Sequence, residues 1–340
     1  MKSASSMEME TTQPSTTALE VRAIGRRWSR WRPAEIVFWI VALGACFAPL
    51  NNFLLLNEMA ILALFAVSLD LILGYTGIVS LGHAAFFGLG AYSAALLAKA
   101  FNLDPVVGLV LSCGIAAFVG LLTSVLVMRG SDLTRLMVTL GVASILHELA
   151  NKMGWLTGGA DGMTGVPMVP LFGHIEFDIF GRVAYSYSIV TLFLLFILLR
   201  AVVKSPFGIS LQLVRQNPLR AAAMGVPVNL RRTAAYTVSA AYAGVAGALL
   251  AQTTGFASLD VLDFHRSADV LLMLMIGGAG YLYGGIIGAV VFKFMQNWLA
   301  DITPQYWEFW IGLLLVIIVI VGHDRLVRPW TWFRRSGSDA

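Results

Sequence analysis

Charge is scarce in this 340-residue sequence: Asp, Glu, Lys and Arg make up 12% of it, against 58% hydrophobic residues. A soluble domain carries about 25% charged residues. No water-facing surface of ordinary size can be drawn from this composition, so the class is an integral membrane protein. Cysteine is nearly missing. Cys46 and Cys113 are the two present; each lies in an apolar segment, reads as a small apolar filler, and implies no disulfide or metal framework. No GxxxxGK[ST] phosphate loop occurs, which excludes ATP binding by that route. HExxH, CxxC and GxSxG are absent as well, and the histidines (His83, His147, His174, His265, His323) are scattered without ligand spacing. No catalytic, metal or cofactor site is therefore expected on this chain. Residues 1–21 lack an apolar core and read as a disordered tail rather than a signal peptide.

What is abundant is apolar sequence, with a mean hydropathy of +0.79. An apolar run of about 17–25 residues crosses a bilayer as a helix. By that ruler the chain is expected to be an all-α polytopic membrane protein with about ten spans, near 36–56, 59–74, 83–100, 105–128, 134–151, 185–203, 233–253, 267–281, 283–300 and 307–323. The eighth contains Gly277, Gly278 and Gly280, so a re-entrant segment is an alternative to a full crossing. Of the 23 Lys and Arg residues, only Lys99, Lys152, Arg182, Arg266 and Lys293 fall outside the segments that would face the cytoplasm if the N-terminus does. That bias places both termini inside. It also explains the pI near 9.2 without nucleic acid, leaving membrane lipid as the bulk partner. The expected organisation is a cationic, disordered cytoplasmic tail (1–34), a transmembrane domain (35–325) and a cytoplasmic C-terminal tail (326–340).

Two loops are long enough to carry function. The external one, about 153–184, holds the turn-rich Thr157, Gly158, Gly159, Asp161 and Gly162, and Ile175–Phe180 could pair as a hairpin or lie on the membrane surface. The internal one, about 204–231, includes Pro218, a first-turn proline for a short helix over Leu219–Met224 that Gly225 and Pro227 would stop. In the last third, Ala240, Ala243, Gly244, Gly247, Gly284, Gly285 and Gly288 recur at helical spacing and read as close packing between helices.

The stretch around which the rest is arranged is Leu71–Tyr92, LILGYTGIVSLGHAAFFGLGAY. Five glycines and the polar Tyr75, Thr76, Ser80 and His83 interrupt two apolar segments. Such backbone is tolerated at membrane depth only against protein or a cavity. The glycines (Gly77 and Gly82 among them) would permit a sharp break. The polar groups, with Phe86 beside them, would face a pathway or pin the break by hydrogen bonds; alternatively the motif is only a tight packing site. Ionisable residues at membrane depth, Asp70 above all, then His147, Glu148 and Lys293, are functional candidates because burying them is costly, although Lys293 could instead snorkel.

This stretch resembles the signature of the LivM-type permeases of bacterial branched-chain amino acid ABC transporters. Leu156–Pro167 (LTGGADGMTGVP) is similar to that family's first long outer loop, Arg215–Val226 (RQNPLRAAAMGV) to its ATPase-docking loop, and Leu271–Gly288 to a fourth motif, in the family's order. Departures are Gln216 and Pro218 where an acidic residue is usual, Asp70 where Asn is expected, and Gly322–Arg328 in place of a proline-glycine turn. The resemblance implies a type II importer-like bundle in the bacterial inner membrane. It implies a LivH-type second permease, two ATPase subunits carrying ATP and Mg, and an external substrate-binding protein as partners, with import of branched-chain or related amino acids. Arg215, Asn217, Pro218, Ala222 and Gly225 would form the ATPase-coupling element. By the topology count the Leu71–Tyr92 stretch sits near the cytoplasmic ends of spans two and three, so Asp70, Tyr75, Thr76, Gly77, Ser80, Gly82, His83 and Phe86 would form part of the translocation pathway or an inner gate. An ion-coupled secondary transporter, with Asp70 and His147–Glu148 as coupling groups, is the alternative.

Overall fold

The computed structural model describes residues 33–47, 52–178 and 180–302, with a few positions up to 316. Residues 1–32 of the expected N-terminal tail (1–34), the expected C-terminal tail (326–340) and most of the tenth segment lie outside these residues. The chain divides into one unit ending at Val41 and a second beginning at Ala42, and the first helix, α1 (Pro33–Gly44), crosses that boundary. The elements from Phe53 onward belong to the second unit.

The regular elements among the described residues are helices: α2 (Phe53–Thr76), α3 (Ala84–Phe101), α4 (Pro105–Val127), α5 (Asp132–Lys152), α6 (Arg182–Lys204), α7 (Pro206–Gln216), α8 (Pro218–Ala223), α9 (Val228–Thr254), α10 (Phe264–Gly277) and α11 (Leu282–Ile302). Six of them, α2 to α6 and α9, are long and apolar enough to cross a membrane, and α10 with α11 forms a seventh candidate bent by 112°. At 14 residues, α10 is about 21 Å long, short of the roughly 30 Å hydrocarbon core. The eighth expected span is therefore one limb of a broken pair.

α9 and α2 form the centre. The α2 helix is apolar on every side and buried along nearly its whole length, as expected of a helix enclosed by others. Contacts fix the directions. Asn57 Nδ2 meets Thr253 Oγ1 at 3.1 Å at one end, and Ser239 Oγ bonds the Ser68 carbonyl further along, so α2 and α9 are antiparallel. α4 also runs against α9, from Gln252 Nε2 on the Pro105 carbonyl at 2.8 Å to Gly120 beside Ala240. Where α3 crosses α9 the spacing permits no side chain: a Cβ on Gly90 would overlap the Gly244 carbonyl, and one on Gly247 would overlap the Phe87 carbonyl. The small-residue stripe of the last third is thus packing, as its spacing suggests.

Two boundaries differ from those read in the sequence. The division expected between 36–56 and 59–74 does not fall there, because α2 starts at Phe53 and runs through Glu58. Glu58 is tolerated there since Lys293 Nζ, on α11, lies 2.7 Å from its Oε1; so Lys293 does not snorkel but ion-pairs. Of the five glycines in Leu71–Tyr92, only Gly77 breaks the helix, capping α2 at φ +74°, a left-handed conformation that favours glycine. Gly74 stays inside α2, and Gly88 and Gly90 inside α3. In the long loop, Leu171 bridges Ile175, so the short pairing closes before the expected Ile175–Phe180 hairpin.

Candidate functional site

Three chain segments converge at the end of α2. A helix leaves its last four carbonyls without intrahelical partners. Here Ile72 O accepts from the Gly77 cap amide and from Ile78 N, and from Thr76 Oγ1 at 2.5 Å. The Gly74 carbonyl is taken by Arg215 Nη1, from the last turn of α7, a cation where the helix dipole favours one. The stem of Arg215 lies over Gly77, its Cγ 3.1 Å from where a Cβ would stand. Asp70, fully buried, accepts the Gly280 amide on Oδ1 at 2.7 Å. Gly280 belongs to the break between α10 and α11, where Gly278 and Gly280 hold φ values of +90° and +91°. A Cβ on Gly74 would collide with the Asp70 carboxylate and stand 2.5 Å from Gly280 N. Tyr75, in the last turn of α2, is buried beside this break. Asp70, Tyr75, Gly77 and Arg215 thus form one joint with the α10–α11 break.

A second group surrounds His83, which is completely buried. Ser68 Oγ spends its only proton on the Phe65 carbonyl at 2.6 Å, so the 2.8 Å contact from His83 Nε2 to Ser68 Oγ has the ring as donor. The tautomer follows from that pattern, and it leaves Nδ1 a buried acceptor without a partner. The ring stacks on Phe65 with centroids 5.5 Å apart at 6° and meets Phe86 edge-on at 6.0 Å. Ala84 N donates to Ser267 Oγ at 2.9 Å, tying the start of α3 to α10. Gly82 abuts the Thr139 carbonyl of α5, leaving no room for a side chain. Ser80 Oγ is buried with no hydrogen-bond partner among the described residues. His83 and Gly82 therefore pin the break.

Opposite stability effects are expected from two neighbouring changes. His83→Ala removes a ring, a hydrogen bond and an aromatic stack, and should cost about 2 kcal/mol or more. Ser80→Ala deletes an unsatisfied buried hydroxyl and should leave stability unchanged or slightly raised. Thermal unfolding of the detergent-solubilised variants measures both, and an equal drop for each would contradict this geometry.

The remaining candidates lie elsewhere. Asn217 caps α8, its Oδ1 accepting Arg220 N at 3.0 Å, and Pro218 is the first residue of α8. Gly225 follows at φ +81°, so the short helix stops where the sequence suggested. Ala221 is the buried residue of α8, whereas Ala222 and its neighbours are exposed. In the long loop Thr157 Oγ1 bonds the Ala150 carbonyl at 2.5 Å, and Gly158, Gly159 and Gly162 take positive φ. Met163 then pairs with Ala257 (N to O 2.7 Å), while Asp161 is exposed. His147 lies eight residues, about 12 Å, beyond Thr139 on α5, and Glu148 is exposed, 3.4 Å from Lys152. These two do not share a site with the joint at Asp70. The sequence reading missed Glu58, Ser68, Thr139 and Ser239; for Glu58 and the two serines the available signal was polarity within an apolar run.

A family model described as "Branched-chain amino acid transport system / permease component" matches residues 51–319. The LivM permease protein of a high-affinity branched-chain amino acid transport system in Salmonella typhimurium is 28% identical over 281 residues, covering 76% of this chain and 65% of that protein. A probable branched-chain amino acid transport permease LivH of Methanocaldococcus jannaschii is 28% identical over 246 residues, 70% of this chain and 76% of that one. The fructose import permease FrcC of Rhizobium meliloti is 25% identical over 305 residues, 86% and 82% of the two chains. The match thus spans about 65% of the length of the LivM relative. No solved structure matched.

Proposed function

The chain belongs to the family of permease components of branched-chain amino acid transport systems, and we propose that it is the membrane-spanning subunit of an ATP-driven importer of branched-chain or related amino acids. Its multi-pass bundle lies in the bacterial inner membrane, with both termini cytoplasmic and tails at 1–34 and 326–340 flanking a permease domain over 35–325. ATP and Mg belong to two separate ATPase subunits, a LivH-type permease pairs with it, and an external binding protein delivers substrate. The observation that carries this reading is α8, a six-residue helix held at both ends by Asn217 and Gly225 and exposed except at Ala221. An exposed, doubly stopped helix has little internal slack, as a lever seated in an ATPase groove requires. Asn217, Pro218, Ala222 and Gly225 form that lever. The joint from Asp70 to Phe86 forms the inner gate, and Thr157–Gly162 shapes the outer face.

Reconstitution tests the reading. Proteoliposomes holding this chain, its paired permease and the ATPases should take up a branched-chain amino acid only with ATP inside the subunits' compartment and the binding protein outside. Uptake by this chain alone, driven by an ion gradient, would replace the reading with a secondary transporter. FrcC is named as a fructose permease, so sugars belong in the substrate panel.

A further inference from the structure

Arg215 was expected to serve the ATPase contact, yet its guanidinium points the other way. It donates to the Gly74 carbonyl and lies 3.1 Å from where a Cβ on Gly280 would stand. From these contacts we infer that Arg215 and Asp70 are the positioning residues that transmit motion of the α7–α8 element to the α10–α11 break. This inference rests on the importer reading above.

The chain of contacts is short and has no flexible gap. Arg215 is two residues before Asn217, whose side chain caps α8, so tilting α8 moves the root of the Arg215 side chain. Behind Arg215, α7 buries Gly208, Leu211 and Val214. A Cβ on Gly208 would overlap the Val203 carbonyl, so α7 is seated closely on the end of α6 and cannot absorb the tilt by bending away. The head of Arg215 holds Gly74 O on α2. One turn earlier on the same helix, Asp70 Oδ1 holds Gly280 N. Gly74 carries no side chain, and that is what allows Gly280 to rest against α2: a Cβ there would stand 2.8 Å from Gly280 Cα. The receiving element is itself a bend, 112° between α10 and α11, with both Gly278 and Gly280 in conformations that favour glycine. A bend of this kind is where small shifts become a change of helix direction.

The two side chains have different requirements. Asp70 acts here as a hydrogen-bond acceptor, a role an amide oxygen also fills, so Asp70→Asn should keep the link and Asp70→Ala should break it. Arg215 supplies a charged, directional donor, so Arg215→Met keeps the stem over Gly77 and loses the bond, while Arg215→Lys restores part of it.

The readout is substrate molecules taken up per ATP hydrolysed in proteoliposomes containing the whole transporter. Loss of one charge-assisted hydrogen bond corresponds to about a tenfold fall in this ratio for Arg215→Met and for Asp70→Ala. Arg215→Lys should fall less, and Asp70→Asn should stay within about twofold of the parent, as isosteric acceptors do. A purely structural role would lower uptake and hydrolysis together through fewer assembled complexes and leave the ratio unchanged; that result overturns the inference. So does an Asp70→Asn ratio as low as that of Asp70→Ala. ATP-independent uptake by the parent chain would instead overturn the importer reading, and the inference with it.

Discussion

Gly90→Leu is expected to abolish accumulation of the folded chain. At the crossing of α3 and α9 the added Cβ would fall on the Gly244 carbonyl and 2.5 Å from the Gly244 Cα. These are backbone atoms, so no rotamer change relieves the clash. The neighbours offer no room either: a Cβ on Gly247 would meet the Phe87 carbonyl and one on Gly244 the Ala116 methyl. The two helices would have to separate along their most buried stretch, costing about 3 kcal/mol or more, the upper range of overpacking. Without a hydrophobic force joining helices in lipid, close backbone approach is what the contact depends on. Gly114→Ala is the matched control, because nothing lies within 4 Å of its Cβ position; its yield and thermal midpoint should equal the parent's. Membrane yield and a monodisperse size-exclusion peak report the outcome. A normally folded Gly90→Leu chain would mean that the crossing is wider than described.

The second large effect concerns the ion pair between α2 and α11. Lys293 Nζ lies 2.7 Å from Glu58 Oε1, with the lysine side chain 15% exposed and the glutamate 38%. Gln296 Oε1 supplies a further bond at 3.0 Å. Removing the carboxylate by Glu58→Ala leaves the more deeply buried ammonium with the amide alone, and should cost about 1–2 kcal/mol, between the values for exposed and for fully buried pairs because this pair is partly buried. Lys293→Met should cost less, since the glutamate left behind still reaches solvent. The double change Glu58→Leu/Lys293→Met should recover most of the loss, because a buried pair replaced by apolar groups of similar volume is often close to neutral. A double-mutant cycle on thermal stability tests this. Strictly additive single effects would show that the two charges do not depend on each other.

Both predictions concern pairings between residues far apart in the chain, and this separates what was legible from what was not. Membrane class was legible because scarce charge excludes a solvated surface. The ends of α3, α4, α5, α6 and α9 were legible to within a few residues, since each apolar run is closed by polar or turn-forming residues such as Asp104–Pro105 and Thr254–Gly255. The α8 helix was legible from Pro218 and Gly225. The small-residue stripe was legible as packing, though not which helix it faced.

Glu58 illustrates the limit. As a sequence position it is a charge in an apolar run, and the natural reading ends a helix there. Its partner, Lys293, stands on another helix, and only tertiary contact turns a break into an ion pair. Gly74 and Gly77 show the same limit. Both are glycines in one motif; one packs inside a helix against Gly280 and the other ends that helix, and local sequence does not tell these uses apart. The resemblance placed the Leu71–Tyr92 motif, the docking loop and the Leu271–Gly288 motif on one chain without relating them. In the structure, the end of α2, Arg215 and the α10–α11 break meet at Gly74. By itself the sequence determined that this chain is a bundle of apolar helices, because hydropathy and turn chemistry act over a few neighbouring residues. Only the tertiary structure decided which buried polar groups face one another, because a hydrogen bond or ion pair at that depth depends on distance in space, to which sequence separation is no guide.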